Sequence, residues 1–322
     1  MIITRTPFRI SFSGGGTDLR AFYASEPGVV LATAIDKYMY ITVNRRFDRS
    51  IRVSYSRTEI VEHASQIEHP IVREALALLG LEHGLEIISM ADVPAQTGLG
   101  SSGSFTVGLL HALHAFRGER PSAEQLAAEA CVIEIDRLRE PIGKQDQYIA
   151  AYGGLRRIQF NADERVDVDA VASAPDTLQA LNDRLLLCFT GITRSASEVL
   201  IEQQRDMTET APQLSALAAI AERMRAALVG APRLAEFGEL LHESWIVKRR
   251  LAAVTTGAID RWYDLARQAG AIGGKILGAG GGGFLLLFVE PDKRDAVARA
   301  LAPLELLPFR FEPQGTKVIY SE

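Results

Sequence analysis

Residues Pro94 to Phe105 read PAQTGLGSSGSF, with Gly98, Gly100 and Gly103 set among three serines directly ahead of an apolar run. The strand-like pattern LEIISM precedes this loop, and a mostly apolar helical pattern, Ser104 to Phe116, follows it. So little side chain fills the loop that its backbone must lie against something. Glycine tolerates positive φ and lets main-chain N–H groups approach a ligand. The first amides of a helix lack internal partners and carry a partial positive charge. The segment therefore reads as an anion site, with phosphate the anion it suits. A serine-capped tight turn is the simpler reading, but three glycines and three serines exceed what a cap requires. A Walker loop is excluded because no lysine precedes the terminal serine. The string satisfies G-x-G-x-x-G, yet a second helix follows the first where a dinucleotide fold needs a strand.

Two more glycine loops accompany it. In GGKILGAGGGGFLLLF, Gly278 to Gly283 lead into a strand, which again rules out the dinucleotide reading. Such a run costs conformational entropy and makes sense where backbone presses on another loop or a ligand. In TPFRISFSGGGTDL, Gly14, Gly15 and Gly16 end a strand and present Thr17 and Asp18. Asp18 can cap the next turn or accept hydroxyls from a polyol.

Two further acids stand out. The pattern predicts a helix over 122–139, with Ser122 as N-cap and Gln125 completing a capping box. At 100° per residue, Ala127, Ala130, Cys131, Ile135 and Leu138 share a face with Glu134 in its middle, while Glu129 and Asp136 point to water. A carboxylate on a buried face must meet a cation. That cation is either an arginine or a magnesium ion at the phosphate site. Asp146 starts a short helix behind Gly143, where the helix dipole favours its ionised form. The histidines show no paired metal-ligand spacing.

Composition narrows the class. The 322 residues suffice for about two domains. Net charge is −5 with mixed signs, which argues against nucleic acid or a membrane surface as partner. Cys131 and Cys188 lie far apart in apolar surroundings, as reduced core thiols do. MIITRTPFRI has no signal-peptide core and no apolar run spans a bilayer, so a cytoplasmic protein is expected. ITVNRRF, LRRIQFN, RLLLCFT, FLLLFVE, LPFRFE and TKVIYSE read as strands, and PIVREALALLGL, Ser195–Ala269 and a segment from about Asp292 as helical. The pattern weakens over Ala170 to Asp183, so the chain divides into residues 1–180 and 181–322.

Three glycine loops in this order resemble the GHMP kinases. PAQTGLGSSGSF is similar to that family's phosphate loop, PFRISFSGGGTDL to its first motif and KILGAGGGGF to its third. GGGTDL shows glycines where galactokinases carry Glu-His. TRTPFRISFSGGGTDL, ATAIDKYMYITVNRRF and IEIDRLREPIGKQDQYIAAYGGL are more similar to the bacterial heptose 7-phosphate kinases within the family. Fucokinase domains are near neighbours.

The resemblance implies a two-domain α+β fold, with a ribosomal-protein-like α/β domain first and a ferredoxin-like α+β domain second. It implies an ATP-dependent, magnesium-using kinase of the anomeric hydroxyl of a sugar phosphate, and it leaves a homodimer open. Position by position, it assigns ATP to Gly98, Leu99, Gly100, Ser101, Ser102, Gly103 and Ser104, and magnesium to Ser102 and Glu134. It also implies that Asp146 faces the attacking hydroxyl with Arg9 nearby, and that Gly15, Gly16, Thr17 and Asp18 bind sugar. Gly278, Gly280, Gly281, Gly282 and Gly283 brace the phosphate loop. A sugar-borne phosphate needs a second anion site, for which Lys37, Arg45, Arg46, Lys144 and Arg194 are candidates. The alternatives are a kinase of an unphosphorylated sugar and a non-catalytic sugar and ATP sensor.

Overall fold

The computed structural model describes residues 1–193, 201, 207–251 and 254–322, so Arg194 lies outside the described residues. In chain order the strands are β1 (Ile2–Ser13), β2 (Gly28–Arg45), β3 (Ile51–Ser54), β4 (Thr58–Val61), β5 (Leu85–Ala91), β6 (Leu155–Phe160), β7 (Val166–Ala170), β8 (Leu185–Phe189), β9 (Ala271–Ile276), β10 (Phe284–Val289), β11 (Glu305–Leu306) and β12 (Lys317–Ser321). The helices are α1 (Arg20–Tyr23), α2 (Pro70–Leu79), α3 (Ser101–Phe116), α4 (Ala123–Cys131), α5 (Gln145–Tyr152), α6 (Pro175–Asp183), α7 (Met207–Leu228), α8 (Leu234–Lys248), α9 (Gly257–Gln268) and α10 (Arg294–Ala300). None of the described helices is long and apolar enough to cross a membrane.

The first sheet runs β12-β1-β2-β5-β3-β4. Its spine is β2, which pairs with β1 along most of its length. On its other side β2 serves two partners, β6 along Gly28–Thr33 and β5 along Met39–Arg45. Helix α3 lies across β1 and β2 and carries the phosphate loop at its N-terminus. The second sheet, β11-β8-β10-β9, is antiparallel throughout, and α8 packs on β9.

Strand β10 shows why the two parts act as one body. Side chains alternate between sheet faces. Leu285, Leu287 and Val289 enter a core with Trp245, Ile259 and Tyr263. Phe284, Leu286 and Phe288 enter the large core shared with β1, β2 and α3. Polar links reinforce the junction: Ser13 Oγ donates to the Leu217 carbonyl at 2.8 Å, and Lys275 Nζ donates to the carbonyls of Ser11 and Phe12 at 3.0 and 2.9 Å.

Several sequence expectations need correction. A division at 180/181 assigns β12 to the second unit, yet β12 pairs antiparallel with β1 in the first sheet. LPFRFE is not a strand; it contributes one isolated bridge, Phe311 to Ile35. The helix expected over 122–139 is α-helical only to Cys131, and Val132–Arg137 form a π turn closed by Leu138 N to Ile133 O at 3.0 Å. Ser122 caps α4, but the Gln125 side chain bonds Glu129 and completes no capping box.

Candidate active site

A cavity of about 310 Å3 opens between the two units. One wall is β1 with the Gly14–Gly16 turn, the floor is the phosphate loop and α5, and α8 and the third glycine loop close the far side. The phosphate loop is pinned from both sides. Arg9 N donates to Leu99 O at 3.0 Å, and Phe284 N donates to Thr97 O at 3.2 Å. Gly98 has φ +82, and a Cβ there would lie 2.7 Å from the Leu277 carbonyl oxygen, so only glycine allows the two loops to touch. At Gly103 a Cβ would lie 2.9 Å from Asp146 Cβ, so α3 and α5 approach to backbone contact there.

The acids converge on this cavity. Asp146 sits in the first turn of α5 and takes two hydrogen bonds from Arg9, Nε to Oδ1 at 2.7 Å and Nη2 to Oδ2 at 2.8 Å. This paired, fork-like geometry fixes the carboxylate plane. Arg9 also donates through Nη1 to the Gly98 carbonyl, which ties the acid to the phosphate loop.

Glu134 is 1% exposed. It accepts from Ser102 Oγ and, through Oε1, from Gln147 Nε2 at 2.9 Å. Burial pushes its carboxyl up; the hydrogen bonds from Ser102 and Gln147 oppose this, and the Asp146 charge adds to it. Such π turns recur at functional sites, and here the turn buries Ile133 and Glu134 consecutively. Asp18 is also buried, with Oδ1 accepting from Gly16 N at 2.9 Å and Oδ2 from Gln145 N at 3.1 Å. Burial raises its carboxyl, backbone hydrogen bonds from Gln145 and Gly16 oppose this, and the Asp146 charge assists it.

Gly15, Gly16, Asp18, Gly98, Gly100, Ser101, Ser102, Gly103, Glu134, Asp146, Arg9, Gly278, Gly280 and Gly282 all line the cavity. Five expected site residues do not, namely Thr17, Leu99, Ser104, Gly281 and Gly283. Thr17 Oγ1 closes its own turn by donating to Gly14 O at 2.7 Å and accepting from Val29 N at 3.0 Å. Ser104 Oγ donates to Pro7 O at 2.8 Å and fastens α3 to β1. The Leu99 side chain is buried in the core. Gly283 packs on Thr97, where a Cβ would lie 2.2 Å from its carbonyl oxygen.

The second-anion candidates fare poorly. Lys37, Arg45, Arg46 and Lys144 are not among the lining residues. Arg46 pairs with Asp48 and Lys144 with Glu164, while Arg45 lies over the Phe116 ring. Among the described residues, the cations that line the cavity are Arg9, Lys248 and Lys275. Both lysines escaped the sequence reading, although Leu241, Trp245 and Lys248 share one buried helix face. Burial, with the Arg9 charge second, brings the Lys248 ammonium down to about 7. Burial also depresses Lys275, with Lys248 and Arg9 adding to it. Buried side-chain oxygens of Ser11, Gln145 and Gln147 have no partner among the described residues, and all three residues line the cavity.

Histidine spacing shows no metal pair, but the fold sets the His63 and His83 rings 5.0 Å apart beside Glu82. None of the three lines the cavity.

Comparison with known proteins agrees with this architecture. The model for the GHMP kinase N-terminal domain matches residues 70–154, and that for the GHMP kinase C-terminal domain matches residues 214–304. The chain is 31% identical to a D-glycero-alpha-D-manno-heptose 7-phosphate kinase of Campylobacter jejuni, over 98% of each chain. It is 28% identical to an L-fucokinase/L-fucose-1-P guanylyltransferase of Bacteroides fragilis, over 91% of this chain and 35% of that one. The solved structure of a D-glycero-D-manno-heptose 1-phosphate kinase from Bacteroides thetaiotaomicron superposes with a TM-score of 0.83 over the whole of both chains, at 24% identity. A phosphate loop with two acids in an interdomain cleft, two family models and a full-length relative agree: the chain belongs to the GHMP kinase family and is an ATP-dependent phosphotransferase.

Proposed function

We propose that the protein phosphorylates the anomeric hydroxyl of D-glycero-D-manno-heptose 7-phosphate, giving the 1,7-bisphosphate for synthesis of a nucleotide-activated heptose. The observation that carries this reading is the full-length likeness to the Campylobacter jejuni enzyme, with Asp18 and Asp146 both facing one cavity. Residues 1–180 supply the phosphate loop and the acids, and residues 181–322 supply the third glycine loop and α8, while their last strand, β12, completes the first sheet.

In this reading the nucleotide's phosphates lie over Gly98–Gly103, against amides at the N-terminus of α3. Transfer needs alignment and charge neutralisation more than covalent help. Asp146 orients the acceptor hydroxyl and takes its proton, while the two hydrogen bonds from Arg9 prevent the carboxylate from turning away. Asp18 and the Gly15–Gly16 turn hold sugar hydroxyls. The oxygens of Ser102 and Glu134 form a hard donor set suited to magnesium, and a buried carboxylate with spare lone pairs fits such an ion. Bound there, magnesium would neutralise charge on the β- and γ-phosphates.

Coupled ADP release across heptose 7-phosphate, free heptose, fucose and galactose, with phosphorus NMR of the product, tests the assignment. A new anomeric phosphate on heptose 7-phosphate, at the highest kcat/KM of the panel, is expected. Preferred turnover of a free sugar would assign the enzyme to the fucokinase-like branch.

A further inference from the structure

We propose that Lys248 is a phosphate-binding residue of the cleft, its ammonium taking a phosphoryl oxygen from a ligand held between the phosphate loop and Asp146. The inference rests on the kinase reading and adds a cationic side chain to the phosphate-binding groups of the cleft.

Lys248 is the last residue of α8 and is 7% exposed, yet it lines the cavity. A cation at a helix C-terminus ordinarily serves the carbonyls of its own helix. Here Nζ reaches away and donates to the carbonyl of Gly278 in the third glycine loop. An ammonium has three donors, so two remain.

No carboxylate among the described residues uses them. Asp146 is engaged by Arg9, Glu134 by Ser102 and Gln147, and Asp18 by the amides of Gly16 and Gln145. Lys275, the neighbouring cation, points its Nζ at the carbonyls of Ser11 and Phe12 and is committed to holding β1. A buried ammonium without a counter-ion is costly, and an apolar residue of the same size would pack more cheaply. A buried lysine with two unused donors facing the cavity suits an anion that arrives from outside.

The position suits a phosphoryl group. Gly278 packs on Gly98, where a Cβ on Gly278 would lie 2.6 Å from Gly98 Cα. The Gly98 carbonyl in turn accepts from Arg9, which grips Asp146. Lys248 thus stands at the end of an unbroken series of contacts that begins at the acid facing the acceptor hydroxyl. Both ligands of the proposed reaction carry a phosphate, the nucleotide at its terminal group and the sugar at C7, and the titrations below separate them.

The test uses the full-length enzyme with Lys248→Met, which keeps the stem and removes the charge, and Lys248→Gln, which also keeps an N–H for the Gly278 carbonyl. Calorimetric titrations compare a non-hydrolysable ATP analogue with ADP, and heptose 7-phosphate with free heptose. One phosphate-bearing ligand is expected to weaken by at least about tenfold, the size of a lost charged hydrogen bond. Its partner lacking that phosphate is expected to bind as before. Loss confined to the ATP analogue identifies the nucleotide's terminal phosphate; loss confined to heptose 7-phosphate identifies the sugar's. A purely structural role would shift both members of a pair together. If either variant, folded by its cooperative thermal transition, binds all four ligands as the wild type does, or weakens both members of a pair equally, the proposal is overturned. Failure of wild-type turnover on heptose 7-phosphate would remove the substrate assignment instead, and a lost preference of Lys248→Met for the ATP analogue over ADP would still uphold Lys248.

Discussion

Glu134→Gln should make the ligand-free protein more stable and the enzyme far less active. Glu134 is almost fully buried, and burial raises its carboxyl above the ordinary range. An acid whose pKa is higher in the fold than in the unfolded chain holds its proton longer when folded. Its favourable contribution is present below the unfolded value and is lost as pH rises through the folded value. At pH 8 the empty site therefore carries the cost of a buried charge. Glutamine has the same shape. Its carbonyl can accept from Gln147 Nε2, and its amide can donate to Ser102 Oγ, which then reverses its role from donor to acceptor. Both hydrogen bonds survive while the charge is gone. Relief of one buried, incompletely compensated polar charge is worth about 1 to 2 kcal/mol. At about 2 to 4 °C per kcal/mol, Tm should rise by roughly 2 to 8 °C at pH 8, towards the lower figure in a chain of this length. The gain should shrink as pH falls and the wild-type carboxyl protonates. Scanning calorimetry at pH 8 and pH 5 without nucleotide reads this directly. In the presence of magnesium and ATP the order should reverse, and turnover should fall at least about 100-fold. A variant less stable than wild type at pH 8, or one equally active, would refute the reasoning.

Asp146→Asn should lower kcat by at least about 10²-fold with nucleotide affinity largely kept; near-wild-type turnover would remove Asp146 from the mechanism. It should also destabilise the fold, because the buried Arg9 guanidinium loses its charged partner, and Arg9→Met in the same chain should recover part of that loss in a double-mutant cycle. Asp18→Asn should raise KM for the sugar and leave KM for ATP in place, as steady-state kinetics with each substrate varied would show. Gly98→Ala should separate the two glycine loops, since its Cβ has no room beside Leu277 and its φ is positive; a strained backbone of this kind costs about 1 to 3 kcal/mol, and calorimetry should show a lower Tm with a raised KM for ATP.

Much of this site could be read before the fold was seen, where the signal was local. Glycine density marked the loops that meet at Gly98 and Gly278. Helix phase alone put Glu134 on a buried face, and the π turn that begins at Val132 left it there. What stayed hidden depends on distant partners. β12 joins the first sheet because β1 offers it a free edge, and nothing within TKVIYSE names that partner. Thr17 and Ser104 carry the right chemistry for ligand contact, but their hydroxyls are used by backbone groups of Gly14, Val29 and Pro7. Lys248 could have been found by the phase argument that found Glu134, since it follows Leu241 and Trp245 at seven and three residues along α8. Lys275 could have been noticed as a charge inside a buried strand. The Arg9–Asp146 pairing joins residues 137 positions apart and is visible only in the folded chain.

The most direct test of the whole account is a crystal structure of the enzyme with a non-hydrolysable ATP analogue and heptose 7-phosphate. The account predicts the triphosphate along the amides of Gly98 to Gly103, with the anomeric hydroxyl within hydrogen-bond reach of Asp146. A triphosphate bound outside this cleft, or a sugar whose anomeric oxygen points away from Asp146, would contradict it.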